Sequence, residues 1–250
     1  MASHRLSMSK VSLASLCSWS FRADAPQTPR PPGTSARIGT GVHSMMERYV
    51  KEGIICESLP KLTVEEQAQA FDLFSPSLRE FLDLHRWNDC EIGLRYDTRT
   101  DSTKSGPRRG EPHYDDIDPS VLPGTLDLVA VGEKTAVVID LKSGKKVEDR
   151  QQLYAQAVAA SRYYDVPTVK VGYLYARKTK CDEPEWEVLD ADRLDAEAGK
   201  LARLMRKLPM AEPVPGDHCW RCDARPSCPA YGAERAQESA RELEEAGFFR

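Results

Sequence analysis

The stretch from Gly124 to Gly144 constrains this chain more than any other: Gly-Thr-Leu-Asp-Leu-Val-Ala-Val-Gly-Glu-Lys-Thr-Ala-Val-Val-Ile-Asp-Leu-Lys-Ser-Gly. Two runs dense in Val, Ile and Leu, Gly124 to Val131 and Ala136 to Leu141, are parted by Gly132-Glu133, the pattern of a β-hairpin. Side chains alternate along a strand, so Asp140 and Lys142 leave one face while Ile139 and Leu141 enter the core. A hairpin partner carrying Asp127 brings a second carboxylate beside Asp140. Two carboxylates in one place repel unless a cation joins them, and oxygen donors suit Mg2+ or Mn2+. Asp-x-Lys alone is equally the pattern of a surface ion pair worth at most ~1 kcal/mol. Asp127 inside an apolar run is harder to dismiss, because an uncompensated buried carboxylate is costly.

Upstream, Ser9 to Phe21 carries Val11, Leu13, Leu16 and Cys17 at near-helical spacing. The proline-rich stretch Ala25 to Arg37 predicts no regular helix. Helices are predicted from about Gly41 to Lys51 and from Thr63 to Trp87, the second opened by the capping-box pattern Thr63-Val-Glu-Glu. Glu91 to Tyr96 reads as a strand, and 98–120 as a polar, turn-rich segment with a short strand near His113. After the hairpin come a helix over Gln151 to Tyr164, a strand over Thr168 to Tyr175 and an edge strand over Glu185 to Leu189. An amphipathic helix over Asp192 to Leu208 and a charged one from Tyr231 to Glu245 close the pattern. This order predicts a mixed α/β core with helical additions at both ends. Residues 1–250 read as one domain, with a helical part at 38–88, an α/β core at 89–190, and C-terminal helices with a cysteine cluster at 191–250.

A formal charge of −4 argues against a protein that coats nucleic acid by global charge, so any such binding rests on a local patch. Lys142, Lys145, Lys146 and Arg150, with Arg108 and Arg109, are the candidates to neutralise phosphates. No apolar run approaches the ~18 residues of a membrane span. The apolar stretch near the N-terminus is broken by serines and lacks the core of a secretory signal, so the predicted location is cytoplasmic. No Gly-x-x-x-x-Gly-Lys-Ser/Thr is present, which excludes a motor of that kind within this chain. In a reducing compartment clustered cysteines point to metal rather than disulfides. Cys219-x2-Cys222-x5-Cys228 is compact enough to chelate, but a structural site usually takes four ligands. Cys17 or His218 is the candidate fourth, and a metal-free reading of the thiols stays open. Trp220 beside them either stacks on a base or packs against the cluster. Cys56, Cys90 and Cys181 have no sequence partners and read as ordinary small residues.

Together these segments resemble the RecB-like branch of the PD-(D/E)XK nucleases. Gly124-Thr-Leu-Asp127 and the strand ending Asp140-Leu-Lys-Ser-Gly144 look like that family's second and third motifs. There the two aspartates bind the metal, the residue after the second lends a backbone carbonyl, here Leu141, and the lysine orients or helps deprotonate the attacking water. Gly39-Thr-Gly-Val-His43-Ser-Met-Met-Glu47 is similar to the family's helical Gly-x-x-x-His motif, whose histidine is a further ligand. The resemblance thus implies metal ligands at His43, Asp127, Asp140 and Leu141, and a catalytic set of Asp127, Asp140, Lys142 and Gln152. Gln152 fits a helical motif of Gln followed four residues later by Tyr, but Gln156 stands where the tyrosine belongs and Tyr154 is displaced. The DNA contacts normally given to that helix are therefore left without an owner. Glu91 resembles a further acid of relatives and is not counted among the ligands.

The cysteine layout resembles AddB-type and CRISPR-adaptation-type nucleases, in which one cysteine ahead of the histidine motif and three near the C-terminus hold a [4Fe–4S] cluster. Ser-Leu-Ala-Ser-Leu-Cys17-Ser is similar to their first cysteine segment. Cys17, Cys219, Cys222 and Cys228 would form an all-thiolate staple across the core, and Zn2+ suits the same ligands. The fold implied is α/β, a restriction-endonuclease-like mixed sheet flanked by helices, with terminal segments joined by this cysteine site. The activity implied is metal-dependent hydrolysis of DNA phosphodiester bonds, by an exonuclease acting on ends or single strands in repair, recombination or phage processes. Its partners would be DNA and a helicase or other recombination or phage protein, with no membrane. The alternatives are a catalytically inactive nuclease fold serving as a DNA-binding or assembly module, and a zinc-stapled hydrolase of another substrate.

Overall fold

The computed structural model describes residues 6–22, 24–25, 31–108, 111, 118 and 120–231. Arg109, His113 with its short strand, the Trp220 side chain and the charged helix beyond Tyr231 lie outside the described residues. The N-terminal amphipathic segment is one short helix, α1 (Val11–Leu16), between the 3-10 turns Met8–Lys10 and Trp19–Phe21.

The next helix, α2 (Thr34–Glu52), begins inside the stretch read as non-helical. Its prolines all precede it: Pro31 and Pro32 sit ahead of the first turn, where a missing N–H removes no helical hydrogen bond. Gly53, at φ 70°, closes it. The long helix expected over Thr63 to Trp87 is two helices, α3 (Val64–Leu73) and α4 (Pro76–Asp83). Thr63 and Glu66 do form the capping box of α3. Pro76, however, lacks the N–H to continue that helix and instead opens α4, with the Ser75 hydroxyl accepting from Leu78 N–H.

The strands are β1 (Asp89–Asp97), β2 (Ser102–Ser105), β3 (Val121–Val131), β4 (Thr135–Lys142), β5 (Thr168–Tyr175) and β6 (Glu187–Leu189). They form one sheet in the order β2-β1-β3-β4-β5-β6. The predicted hairpin is β3–β4, closed by Gly132 N–H on Thr135 O at 2.8 Å. Helix α5 (Gln151–Tyr164) carries the chain from β4 to β5, the parallel pair of an otherwise antiparallel sheet. Helix α6 (Ala191–Lys207) follows β6.

Both faces of the sheet are covered. Val11, Leu153, Val158, Leu194 and Leu201 of α1, α5 and α6 pack on Leu126, Val138, Val171 and Tyr173. Val42, Met45, Ala70 and Leu78 of α2 to α4 pack on Leu128, Ile139, Leu141 and Leu174. As alternation requires, Ile139 and Leu141 enter the second core while Asp140 faces α5. Gly124 has a specific reason to be glycine: a Cβ there would lie 2.3 Å from Met8 Sδ. The N-terminal segment thereby seats against β3.

Candidate metal centre

The site grows from a matched irregularity in two strands. The β1–β3 ladder pairs Cys90 with Leu128 and Ile92 with Leu126, stepping over Glu91 and Asp127, which lie opposite one another. Each strand changes face at that point. Ile92 and Leu126 belong to the α5-side core, whereas Cys90 and Leu128 belong to the α2-side core. Glu91 holds φ at 53°, a left-handed conformation that costs a residue with a Cβ about 1–3 kcal/mol. One strand over, β3 and β4 separate after Leu128–Ile139, while β4 stays paired with β5 as far as Lys142–Tyr175. The Asp127 carboxylate fills the opening, accepting the Leu141 N–H at 2.7 Å.

His43 arrives from the middle of α2. A Cβ on Gly39, one turn earlier, would lie 2.8 Å from Ser143 Oγ, so glycine lets the helix close on the end of β4. His43 Nδ1 is 2.7 Å from Glu91 Oε1 and 3.6 Å from Asp127 Oδ1, and Nε2 is 3.1 Å from Leu141 O. Ligand atoms of His43, Glu91 and Asp127 all lie within 4.8 Å of one another. Burial opposes a charge on His43, but Asp127, Glu91 and Asp140 outweigh it and push its pKa up to about 10. Burial also pushes the Asp127 carboxyl up, with Asp140 and Glu91 adding to the effect and His43 opposing it.

Asp140 is only 2 % exposed and belongs to a second group on the α5 face. Its Oδ1 accepts from Gln152 Nε2 at 2.5 Å and from Gln156 Nε2 at 3.0 Å. Lys142 Nζ sits 2.6 Å from Oδ2 as an ion pair and donates to Gln152 Oε1 at 3.1 Å. Asp140 is near enough to Asp127 and His43 to act on the charge of both, while the glutamine amides hold its Oδ1 from the α5 side. Burial opposes the charge of Lys142, but Asp140 and Asp127 more than restore it. Beside these carboxylates the lysine is placed to orient or help deprotonate an attacking water.

Two residues of the site escaped the sequence reading. Glu91 was set aside, and only the facing irregularity of two distant strands shows it beside Asp127. Gln156 was read as a departure, yet its amide also donates to Thr125 O at 3.1 Å, tying β3 to Asp140. Its signal was present: it lies four residues after Gln152, on the same helix face, among buried alanines.

The profile of the PD-(D/E)XK nuclease superfamily matches residues 5–229. The chain belongs to this superfamily. No curated protein matches it. Among solved structures, the crystal structure of a protein named SSO0001 is similar at 14 % identity and a TM-score of 0.37, over 77 % of this chain and 96 % of that one.

PD-(D/E)XK nucleases use divalent metals, and the residues here fit one. Asp127, 6 % exposed, lies in a cluster whose negative charge no lysine or arginine contacts directly among the described residues. An imidazole, two carboxylates and the Leu141 carbonyl form a mixed nitrogen and oxygen donor set suited to Mn2+ or Mg2+. A cation held there would polarise a phosphoryl oxygen and acidify the attacking water. Asp140, fixed by two glutamine amides, and Lys142 border that position from the α5 face.

The N-terminal cysteine lies beside the segment that carries the other three. Cys17 and Cys222 are buried, and Cys219 and Cys228 half-buried. Val214 N–H reaches Cys17 Sγ at 3.5 Å, and Arg22 Nη1 donates to Ala211 O at 3.2 Å. Burial pushes the Cys222 thiol up, and Cys17 and Cys219 are near enough to add to the shift. Cys56, Cys90 and Cys181 are buried elsewhere, in the α2-side core. Among the described residues no helix is long and apolar enough to cross a membrane.

Proposed function

We propose that this protein is a RecB-like, metal-dependent deoxyribonuclease that hydrolyses phosphodiester bonds at DNA ends or on single strands. The observation that carries the reading is the convergence of His43, Glu91, Asp127 and the Leu141 carbonyl where β3 and β4 separate. Beside it stand Asp140 and a charged Lys142. In this reading His43, Glu91 and Asp127 hold the metal, Lys142 orients water or the phosphoryl group, and Gln152 with Gln156 fixes Asp140. The setting is repair, recombination or phage processes, with a helicase or similar protein supplying DNA. Cys17, Cys219, Cys222 and Cys228 hold a [4Fe–4S] cluster as a staple, a donor set Zn2+ would also accept. Support for the staple is that residues about two hundred positions apart meet around Cys17 and Cys222.

The test is cleavage of end-labelled single- and double-stranded DNA with Mn2+ or Mg2+ against chelator, beside Asp127→Ala and Lys142→Ala. Metal-dependent cutting that falls at least about a hundredfold in both variants is the expected result. Parent-rate cutting by Asp127→Ala would remove the assignment.

A further inference from the structure

A cleft of about 350 Å3 opens beside Lys142, lined among others by Lys146, Arg150, Tyr173, Tyr175, Asp182 and Glu185. Strand order explains its place. Glu91 on β1, Asp127 on β3, Lys142 on β4 and Tyr175 on β5 follow one another across the sheet, and Tyr175 is the register partner of Lys142. The tyrosines form the floor. Each is 5 % exposed, and their hydroxyls are engaged by Asp149 O at 2.9 Å and Val147 N–H at 2.7 Å. They offer no face for a base to stack on. The charged groups of its lining are Lys146 and Arg150 against Asp182, Glu183 and Glu185, so the two cations are open to a ligand only where those carboxylates give way.

Most of that pairing comes from one segment, with Glu187 of β6 adding a longer contact to Arg150 at 3.8 Å. Lys146 is ion-paired with Glu185, Arg150 Nη2 lies 3.2 Å from Glu185 Oε2, and Arg177 Nε lies 3.3 Å from Asp182 Oδ2. The Glu185 and Asp182 side chains are 62 % and 60 % exposed. Ion pairs so exposed hold little. Between β5 and β6 the segment meets the sheet through the isolated bridge Tyr175–Asp182 and through the buried Pro184 over Gly172, which leaves the Glu185 side chain as its exposed, displaceable part.

We propose that this cleft takes the sugar–phosphate backbone of a single DNA strand as it leaves the scissile position, and that residues 182–185 form a strap over it. In the free protein the Glu185 carboxylate holds a phosphate's place on Lys146 and Arg150. The inference rests on the nuclease reading of the adjoining site. Successive phosphates release condensed counterions as they are neutralised, so a strand displaces one exposed carboxylate that returns readily to water.

Fluorescence anisotropy of labelled oligothymidylate, with chelator to prevent cleavage and salt varied, tests it in the full chain. Glu185→Gln is expected to bind roughly fivefold tighter. Lys146→Gln is expected to bind more weakly, with the salt slope reduced by about 0.7. Both side-chain changes are at the surface, so matching thermal melts check that the fold is intact. Unchanged or weaker binding by Glu185→Gln overturns the strap, and parent affinity in Lys146→Gln overturns the cleft. A shift seen for duplex or RNA but not for single-stranded DNA overturns the assigned ligand. Cleavage with Mn2+ is read separately. Cutting with unmoved affinities keeps the nuclease and sinks the strap, whereas moved affinities without cutting keep the strap and sink the nuclease.

Discussion

Glu91 carries the backbone outlier of the metal centre, and its substitution separates fold from site. Glycine enters φ near +53° without a Cβ penalty. Glu91→Gly therefore relieves about 1–3 kcal/mol of strain and loses about 0.5–1 kcal/mol to the freer unfolded chain. We expect its melting temperature in chelator to match or exceed the parent's, while the rise on adding Mn2+ and the cleavage both disappear. A parent-sized metal-induced rise in Glu91→Gly would show that this carboxylate binds no cation. Gln156 makes the complementary case, since it touches Asp140 and lies outside the compact ligand group. Gln156→Leu keeps the volume but strips an amide from a buried carboxylate, at about 1–3 kcal/mol of stability and about ten- to a hundredfold in metal affinity or rate. Urea melts and a Mn2+ titration together check it, and Gln156→Glu, which sets a second charge against Asp140, is expected to do worse than Gln156→Leu.

At the level of elements, capping decides where the α2-side helices begin. Thr63 and Glu66 cap α3 reciprocally, and Arg37 of α2 donates to the Glu66 carboxylate, Nε at 2.9 Å. Those bonds, the Arg37 hydrogen bond first and the Thr63 backbone N–H second, hold the Glu66 carboxyl below its ordinary value. The folded state thus favours the ionised form. The sign follows: this stabilisation is complete above about pH 4.5, the ordinary value, and is lost as pH falls through the lowered one. The stability gap between parent and Glu66→Gln should be constant from pH 7 to about 5 and shrink in more acid solution. Thermal melts across that range test it, and a gap that widens toward acid would contradict the pairing. The same junction fixes α2, whose closeness to β4 at Gly39 sets the reach of His43.

For the whole molecule, the decisive contact joins the ends of the chain. Cys17 lies beside Val214 and near Cys222, so a metal on the four thiolates closes a loop of about two hundred residues. Staples of this kind act as folding free energy. Cys222→Ser is expected to lose bound iron or zinc and to melt several degrees lower, as a loss of about 2–5 kcal/mol would give. Cys56→Ser, altering a buried thiol in the other core, should keep the metal content of the parent. Metal analysis of the purified protein, prepared without air, also decides between iron with inorganic sulfide and zinc. Equal metal content in Cys222→Ser and the parent would end the staple.

Local pattern determined much of this protein. Alternation and a Gly-Glu turn located β3–β4, and helical period located α5 and α6, because each depends on residues within one or two turns of one another. Asp127, Asp140, Lys142 and His43 were legible for the same reason, each standing in a short recognisable neighbourhood. The helix boundaries at Thr34 and Pro76 were misread because proline breaks a helix or begins one according to which side of it the helix lies. What the tertiary structure alone decided is which carboxylates meet. The hairpin brings Asp127 near Asp140, but the partners of each come from elsewhere in the chain, His43 and Glu91 for Asp127, Gln152 and Gln156 for Asp140. Glu91 and Asp127 lie opposite one another across paired strands thirty-six residues apart in sequence. No local pattern encodes that meeting, because it arises from sheet register, a left-handed backbone turn and the close approach of α2.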